Sequence, residues 1–245
     1  MLLGASAVAV AVLIGVAVWA LSRPGQSTAA PTASPAASQS ASPSASAPPS
    51  PTPSPTPSYN IDDPASLQVV VNKLRPINPP EFTPPDLRAV NVAHTWEPQL
   101  RDAAATAVES MFAAARDEAG LALASNSAYR SYSAQARIYD GNDALTARPG
   151  YSEHQTGLAI DIGAESGRCS LSACFADTAE GQWLAANAYR FGFVLRYPNG
   201  ATGITGYDFE PWHYRYVGTE VATAMRDRGV GTLEEFFGLP PAPSY

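Results

Sequence analysis

Between Arg23 and Ser58, 32 of the 36 residues are Pro, Ser, Ala or Thr. A segment of that kind buries too little apolar surface to offset the entropy of ordering, so it cannot belong to a core. It divides the 245-residue chain into three parts. Residues 1–22 are almost wholly apolar, residues 23–58 read as a disordered linker, and residues 59–245 are the part able to fold as a domain. Ten prolines in the linker, ending in the alternating run from Pro51 to Pro57, favour polyproline II. At ~3.1 Å per residue such a tether reaches on the order of 100 Å.

Leu2 to Leu21 carries no charge over twenty residues, enough for a helix to cross a hydrocarbon core. A cleavable signal peptide is the competing reading, with Val18-Trp19-Ala20 a mediocre small-x-small cleavage site. The expectation is a membrane anchor with an extracytoplasmic domain, or a secreted domain if the segment is cleaved. Arg23 alone would hold its end of the segment in the cytoplasm. The further expectation is therefore that the natural start lies upstream and carries basic residues.

All 22 acidic residues and 14 of the 15 Lys and Arg, every one but Arg23, fall in residues 59–245, a formal charge of −8 for that part. Such a domain lacks the basic footprint of a nucleic-acid binder. No basic cluster follows the apolar segment, so membrane contact is expected through the N-terminal segment only. Cys169 and Cys174, the two cysteines, would close a tight disulfide loop in an exported chain. A structural zinc site is the weaker reading of the pair, since no histidine lies nearby.

Within the domain, Leu67–Asn72 reads as a short strand, and five prolines between Pro76 and Pro85 predict an extended arm. The spacing of Leu100, Ala104, Ala107, Met111 and Ala114 predicts a helix over 96–119, ended by Gly120. A strand over 121–127, a helix capped by Ser133, and a helix over 179–191 stopped at Gly192 follow. In the strand 157–162 the residues Leu158, Ile160 and Ile162 share one face, leaving Asp161 on the other. The strand 212–217 alternates likewise behind Pro211. Helices flanking a central antiparallel sheet give an α+β class.

Of three histidines, two sit in compact polar motifs, Ser152-Glu153-His154-Gln155-Thr156-Gly157-Leu158-Ala159-Ile160-Asp161 and Glu210-Pro211-Trp212-His213. A catalytic zinc site needs three protein ligands and an open position. His154, Asp161 and His213 supply two imidazoles and a carboxylate, provided the chain turns at Gly157. Glu210, freed from strand alternation by Pro211, fits a general base that takes a proton from water and passes it to the leaving amine. The bland alternatives stand beside this: a core histidine on a strand, and Asp161 paired with an arginine. A serine nucleophile lacks its Gly-x-Ser-x-Gly elbow. His94 reads as structural, and Asp208 and Arg215 as supports for the ligands.

Taken with Ser127-Ala128-Tyr129-Arg130-Ser131, Gln135, Trp183-Leu184, Gly192-Phe193 and Arg196-Tyr197-Pro198, these motifs resemble the VanY-type D-alanyl-D-alanine carboxypeptidases, the M15B zinc peptidases. The resemblance runs in order from about Leu67 to Gly218. It implies the small α+β zinc-peptidase fold shared with Hedgehog-type domains. It also implies one Zn2+ held by His154, Asp161 and His213, with Glu210 as base and acid and Arg130 stabilising the oxyanion. Gln135, Ser152 and Tyr197 would line the pocket for the terminal D-alanine, and Trp212 would wall the metal site. The implied partner is a peptidoglycan stem peptide, D,D- or L,D-linked, beyond the plasma membrane. A non-catalytic wall-binding module of the same fold and a cross-bridge endopeptidase are the competing readings.

Overall fold

The computed structural model describes residues 59–245. The anchor expected over 1–22 and the linker expected over 23–58 lie outside the described residues. Among the described residues no helix is long and apolar enough to cross a membrane.

A short hairpin opens the domain, β1 (Leu87–Ala89) pairing antiparallel with β2 (Gln99–Arg101). It runs directly into α1 (Asp102–Ala119), which buries Ala104, Val108, Met111 and Ala115 on one face and ends at Gly120 in the left-handed region. The helix thus starts six residues later than periodicity suggests. Pro98 disfavours helical backbone at Glu97, and the residues after it are committed to β1.

The central sheet is antiparallel, in the order β3 (Leu123–Ser127), β4 (Ala159–Ala164), β6 (His213–Tyr216), β5 (Phe193–Leu195). Between β3 and β4 lies α2 (Tyr132–Ile138), capped by Ser131, whose Oγ accepts from the Ala134 N–H, and not by Ser133. Between β4 and β5 comes α3 (Ala179–Asn187), prolonged by a 3-10 turn to Phe191 and stopped at Gly192. The short α4 (Thr202–Thr205) precedes β6, and α5 (Thr219–Arg228) and α6 (Leu233–Phe236) close the fold.

Every residue of β4 is buried. Its Ile160 and Ile162 pack with Leu158 into the main core beneath α1, beside Phe175, Leu184 and Phe193. A second cluster joins Val217, Val221, Met225 and Leu233. Both the sheet and the α+β class match the sequence reading.

The stretch Leu67–Asn72 is not a strand: Leu67 and Gln68 lie in a turn, and Asn72 makes an isolated bridge to Arg75. Val69 and Val71 point into the main core and Val70 into the second cluster. Its carbonyls are taken by arginines in place of a neighbouring strand. Arg215 Nη2 donates to Leu67 O and Val69 O, Arg75 Nε to Val70 O, and Arg196 Nη2 to Val71 O. The proline arm that follows is tied down by Gln155, whose Nε2 donates to Pro80 O and Phe82 O at 2.6 and 3.1 Å.

Candidate active site

His154 sits on a 3-10 turn, Glu153–Thr156, that ends at Gly157 with φ +67. A Cβ at Gly157 would lie 2.8 Å from Leu87 Cδ2 and 3.0 Å from Arg101 Cγ, so this reversal into β4 needs glycine both for its backbone angle and for its space. The turn brings His154 over Asp161. Asp161 in turn is the direct cross-strand partner of His213 in the β4–β6 ladder.

The three side chains converge. His154 Nε2 is 3.3 Å from Asp161 Oδ2, and His213 Nδ1 is 3.2 Å from Asp161 Oδ1. One ligand atom from each residue lies within 4.8 Å of the others. The outer ring nitrogens face protein: His154 Nδ1 is 2.7 Å from Ala128 O, and His213 Nε2 is 3.5 Å from Glu153 Oε2. That leaves Nε2 of one and Nδ1 of the other turned toward Asp161, whose buried Oδ1 has no hydrogen-bond partner. One imidazole with its outer nitrogen fixed by Ala128 O, a second whose outer nitrogen faces the Glu153 carboxylate, and an unsatisfied carboxylate oxygen fit a zinc ion in their midst.

The electrostatics point the same way. Burial would raise the Asp161 carboxyl, but His154 and His213 hold it well below the usual range. Burial pushes the His154 imidazole down, with Arg130 nearby adding to the effect. Burial would also lower His213, yet Asp161 and Glu153 outweigh it and push His213 up to about 9. The cluster carries a proton where a metal cation could replace it.

Glu210 stands beside the cluster, its Oε2 3.7 Å from His213 Nδ1. Burial raises its carboxyl to about 8, with the charges of Asp161 and exposed Asp208 adding to burial, and His213 and Arg130 opposing it. Asp208 acts on Glu210 through this field alone and does not orient a ligand as the sequence suggested. Arg130, on the loop after β3, borders the same cleft, with its buried Nε free of protein partners. Gln135 Nε2 donates to Ala147 O at 2.7 Å, leaving Oε1 buried and unpaired. Ser152 is buried at the cleft wall. The Tyr197 ring packs between Tyr207 and His213, at 4.7 and 4.8 Å between centroids, and half-buried Trp212 completes the wall. All nine residues singled out from sequence therefore border one cleft of about 220 Å³. His94 lies outside it, exposed on a loop bridged to Ser125. Cys169 and Cys174 form the expected disulfide, with Cα atoms 5.6 Å apart.

Of the layer beneath, sequence reasoning found only Arg215, read as a support for the ligands, and missed Glu153, Arg196 and Glu234. Glu153 Oε1 accepts from Arg196 Nε at 2.9 Å and Arg215 Nη1 at 2.8 Å, and Arg196 continues to Glu234 at 2.7 Å. All four side chains are fully buried. Arg215 was legible because it lies two residues from His213 on a strand, hence on the same face.

The family model described as VanY, D-alanyl-D-alanine carboxypeptidase, matches residues 97–219. The putative carboxypeptidase YodJ of Bacillus subtilis (strain 168) is 41% identical over 191 residues, covering 72% of this chain and 69% of its own. The D-alanyl-D-alanine carboxypeptidase of Enterococcus faecium is 39% identical over 112 residues, 45% of this chain and 35% of its own. Among solved structures, the LD-carboxypeptidase LdcB superposes with a TM-score of 0.67 at 40% identity, covering 71% of this chain and 87% of that one. A mutant of the vancomycin-resistance D,D-pentapeptidase VanY in complex with Zn(II) superposes with a TM-score of 0.58 at 33% identity, covering 69% and 97%. With a family match over half its length, and with a relative 41% identical over 72% of the chain, the chain belongs to the VanY family of D-alanyl-D-alanine carboxypeptidases.

Proposed function

We propose that the protein is a zinc-dependent carboxypeptidase that removes the terminal D-alanine from peptidoglycan stem peptides, using a single metal ion. The observation that carries this reading is the meeting of the His154, Asp161 and His213 ligand atoms, with Glu210 within 3.7 Å, at the wall of an open cleft. A bound zinc ion supplies Lewis acidity, which eases deprotonation of water and polarises a carbonyl.

The chain's own groups do the rest. Glu210, whose Oε2 stands 3.7 Å from His213 Nδ1, accepts a proton from the attacking water and delivers it to the departing amine nitrogen. The Arg130 guanidinium donates to the oxygen on which negative charge develops, an interaction worth most in a water-poor cleft. Ser152 donates to the terminal carboxylate, while Gln135, whose free oxygen is an acceptor, takes a substrate N–H. Tyr197 and Trp212 wall the site.

The reading includes an extracytoplasmic location, membrane-tethered or secreted. Its support is the apolar run from Leu2 to Leu21, the linker behind it, and a disulfide of the kind that persists outside a reducing cytoplasm. Incubating the purified protein with muropeptides, with and without chelator, tests the activity by mass spectrometry. Loss of one alanine that chelation abolishes is the expected result. No product from either pentapeptide or tetrapeptide stems would return a wall-binding module to the front, and cleavage within cross-bridges would make the protein an endopeptidase.

A further inference from the structure

Between the end of β4 at Ala164 and the start of α3 at Ala179, one side chain borders the catalytic cleft, that of Leu171. It lies inside the loop closed by Cys169 and Cys174. Packing does not account for its position, because Leu171 is 50% exposed. Nor does backbone preference. Cys169 at φ 56 and Leu171 at φ 48 are the two non-glycine residues with left-handed φ among the described residues, a conformation unfavourable for any residue with a Cβ.

The loop is nevertheless firmly held. Gly167 N–H donates to Ala164 O, Ser170 N–H to Gly167 O, and Phe175 N–H to Ser172 O. Cys169 packs on the main core and Phe175 is wholly buried in it. A short loop anchored at both ends and cross-linked at its base thus holds an unfavourable conformer whose visible effect is to present an aliphatic side chain to the cleft. Ile138 and Leu145, each 49% exposed, border the same cleft from the segment around α2. An apolar rim therefore lies beyond the polar groups assigned to the reacting end.

We infer that the Cys169–Cys174 loop is a specificity element. Leu171 makes an apolar contact with the aliphatic part of the stem peptide that precedes the scissile bond, and the disulfide positions it to do so. The inference rests on the carboxypeptidase reading for the orientation of the substrate. It separates substrates by length: a full stem peptide reaches Leu171, whereas an acetylated D-alanyl-D-alanine does not.

The test compares wild-type protein, Leu171→Gly and the double variant Cys169→Ser/Cys174→Ser, each full-length and zinc-loaded. Steady-state kinetics are measured on a pentapeptide stem and on acetyl-D-alanyl-D-alanine. Equilibrium binding of both peptides is measured in a Glu210→Gln background, where they are not turned over. Because glycine accepts φ 48 without strain, Leu171→Gly should melt no lower than wild type, a result a merely structural leucine would not give. Its KM and Kd for the stem peptide should rise about tenfold, in keeping with loss of a partly buried leucine, with kcat and all constants for the acetylated dipeptide unchanged. The double variant should show the same length-dependent loss while retaining zinc.

Equal weakening toward both peptides, unchanged stem-peptide binding, or a lowered melting temperature for Leu171→Gly would overturn the inference. Binding without hydrolysis by the wild type would defeat the carboxypeptidase reading, while the Kd comparison still decided the role of Leu171. Absence of stem-peptide binding would defeat both.

Discussion

Glu153 Oε2 lies 3.5 Å from His213 Nε2, on the side of the imidazole turned away from Asp161, while Glu153 Oε1 is clasped by Arg196 and Arg215. The adjacent histidine in sequence, His154, is one side of the metal cluster, so a single 3-10 turn supplies a candidate ligand and the carboxylate that orients another. Burial alone would raise the Glu153 carboxyl, but the two arginines hold it far below the usual carboxylate range. It is therefore an anion at any working pH, and a charge facing Nε2 keeps the proton there and Nδ1 free. Replacing Glu153 with Gln keeps the shape and removes the charge. Zinc affinity should fall about 10- to 100-fold, the usual cost of losing a carboxylate behind a histidine ligand, as read by competition with a chromogenic chelator. An unchanged affinity would show that the Glu153–His213 approach has no bearing on the metal.

Glu210 makes a second prediction that separates catalysis from stability. Glu210→Gln should retain zinc and lose about 10²- to 10⁴-fold or more in kcat, the range for removing a general base. Its effect on the metal-free fold should have the opposite sign. A buried carboxyl raised to about 8 favours the protonated form in the folded state. The wild-type fold therefore bears no penalty at low pH and an increasing one as pH rises from about 4.3, the unperturbed glutamate value, toward 8. With chelator present, Glu210→Gln should melt above wild type at pH 8, and the gap should close by pH 5. Identical melting curves across that range would mean that the Glu210 carboxylate is not held in a poorly solvated place.

The Arg196–Glu234 pair, one hydrogen bond behind Glu153, offers a third test. Both side chains are fully buried, with Nη2 2.7 Å from Oε1, and Asn72 donates to the same oxygen at 2.9 Å. Burial pushes the Glu234 carboxyl up, but Arg196 and Asn72 bring it below its ordinary value. With a depressed folded pKa, the stabilisation is present above the unfolded value near ~4.3 and disappears as pH falls below it. Glu234→Gln leaves Arg196 with less compensating charge, and breaking a buried pair from one side costs about 3 to 5 kcal/mol. Urea denaturation at pH 7 should show a loss of that size, shrinking as the pH drops below about 4. A loss that stayed constant with pH would assign the effect to packing instead.

These buried ions also mark where sequence reading stops. The catalytic constellation was legible because its members occur in two short motifs whose local geometry fixes them: a glycine turn between His154 and Asp161, and a proline that frees Glu210 from the alternation carrying His213. The strands β4 and β6 were legible from alternation, and α1 from its apolar stripe. The Glu153–Arg196–Arg215–Glu234 layer has no period, since its members come from four separate segments and meet only in the tertiary fold. The same layer explains the misread Leu67–Asn72. Three valines in a row resemble a strand, but their carbonyls are satisfied by arginine side chains, which no backbone propensity encodes. The late start of α1 and its replacement by β2 likewise depend on a partner strand a dozen residues upstream.

Gly157 joins the two ligand-bearing segments, so it tests whether the site depends on the turn itself. At φ +67 an alanine is strained, and its Cβ would meet Leu87 Cδ2 at 2.8 Å and Arg101 Cγ at 3.0 Å. Neither neighbour yields freely: Leu87 belongs to β1, and the Arg101 guanidinium is pinned to Asp86 at 2.9 Å and to Ala65 O at 2.8 Å. The backbone must shift, and Gly157 N–H is itself bonded to His154 O while its carbonyl accepts from Arg101 N–H. The displacement is therefore transmitted to His154 and away from Asp161. Gly157→Ala should destabilise the fold by about 1 to 3 kcal/mol, as expected for overpacking combined with an unfavourable backbone angle. Zinc affinity should fall by more than that loss of stability accounts for, because Asp161 and His213 stay paired across β4 and β6 while His154 moves. Titrating zinc into the folded variant, well below its melting temperature, checks this. Wild-type affinity in a destabilised Gly157→Ala protein would show that the turn holds the fold but does not set the spacing of the ligands.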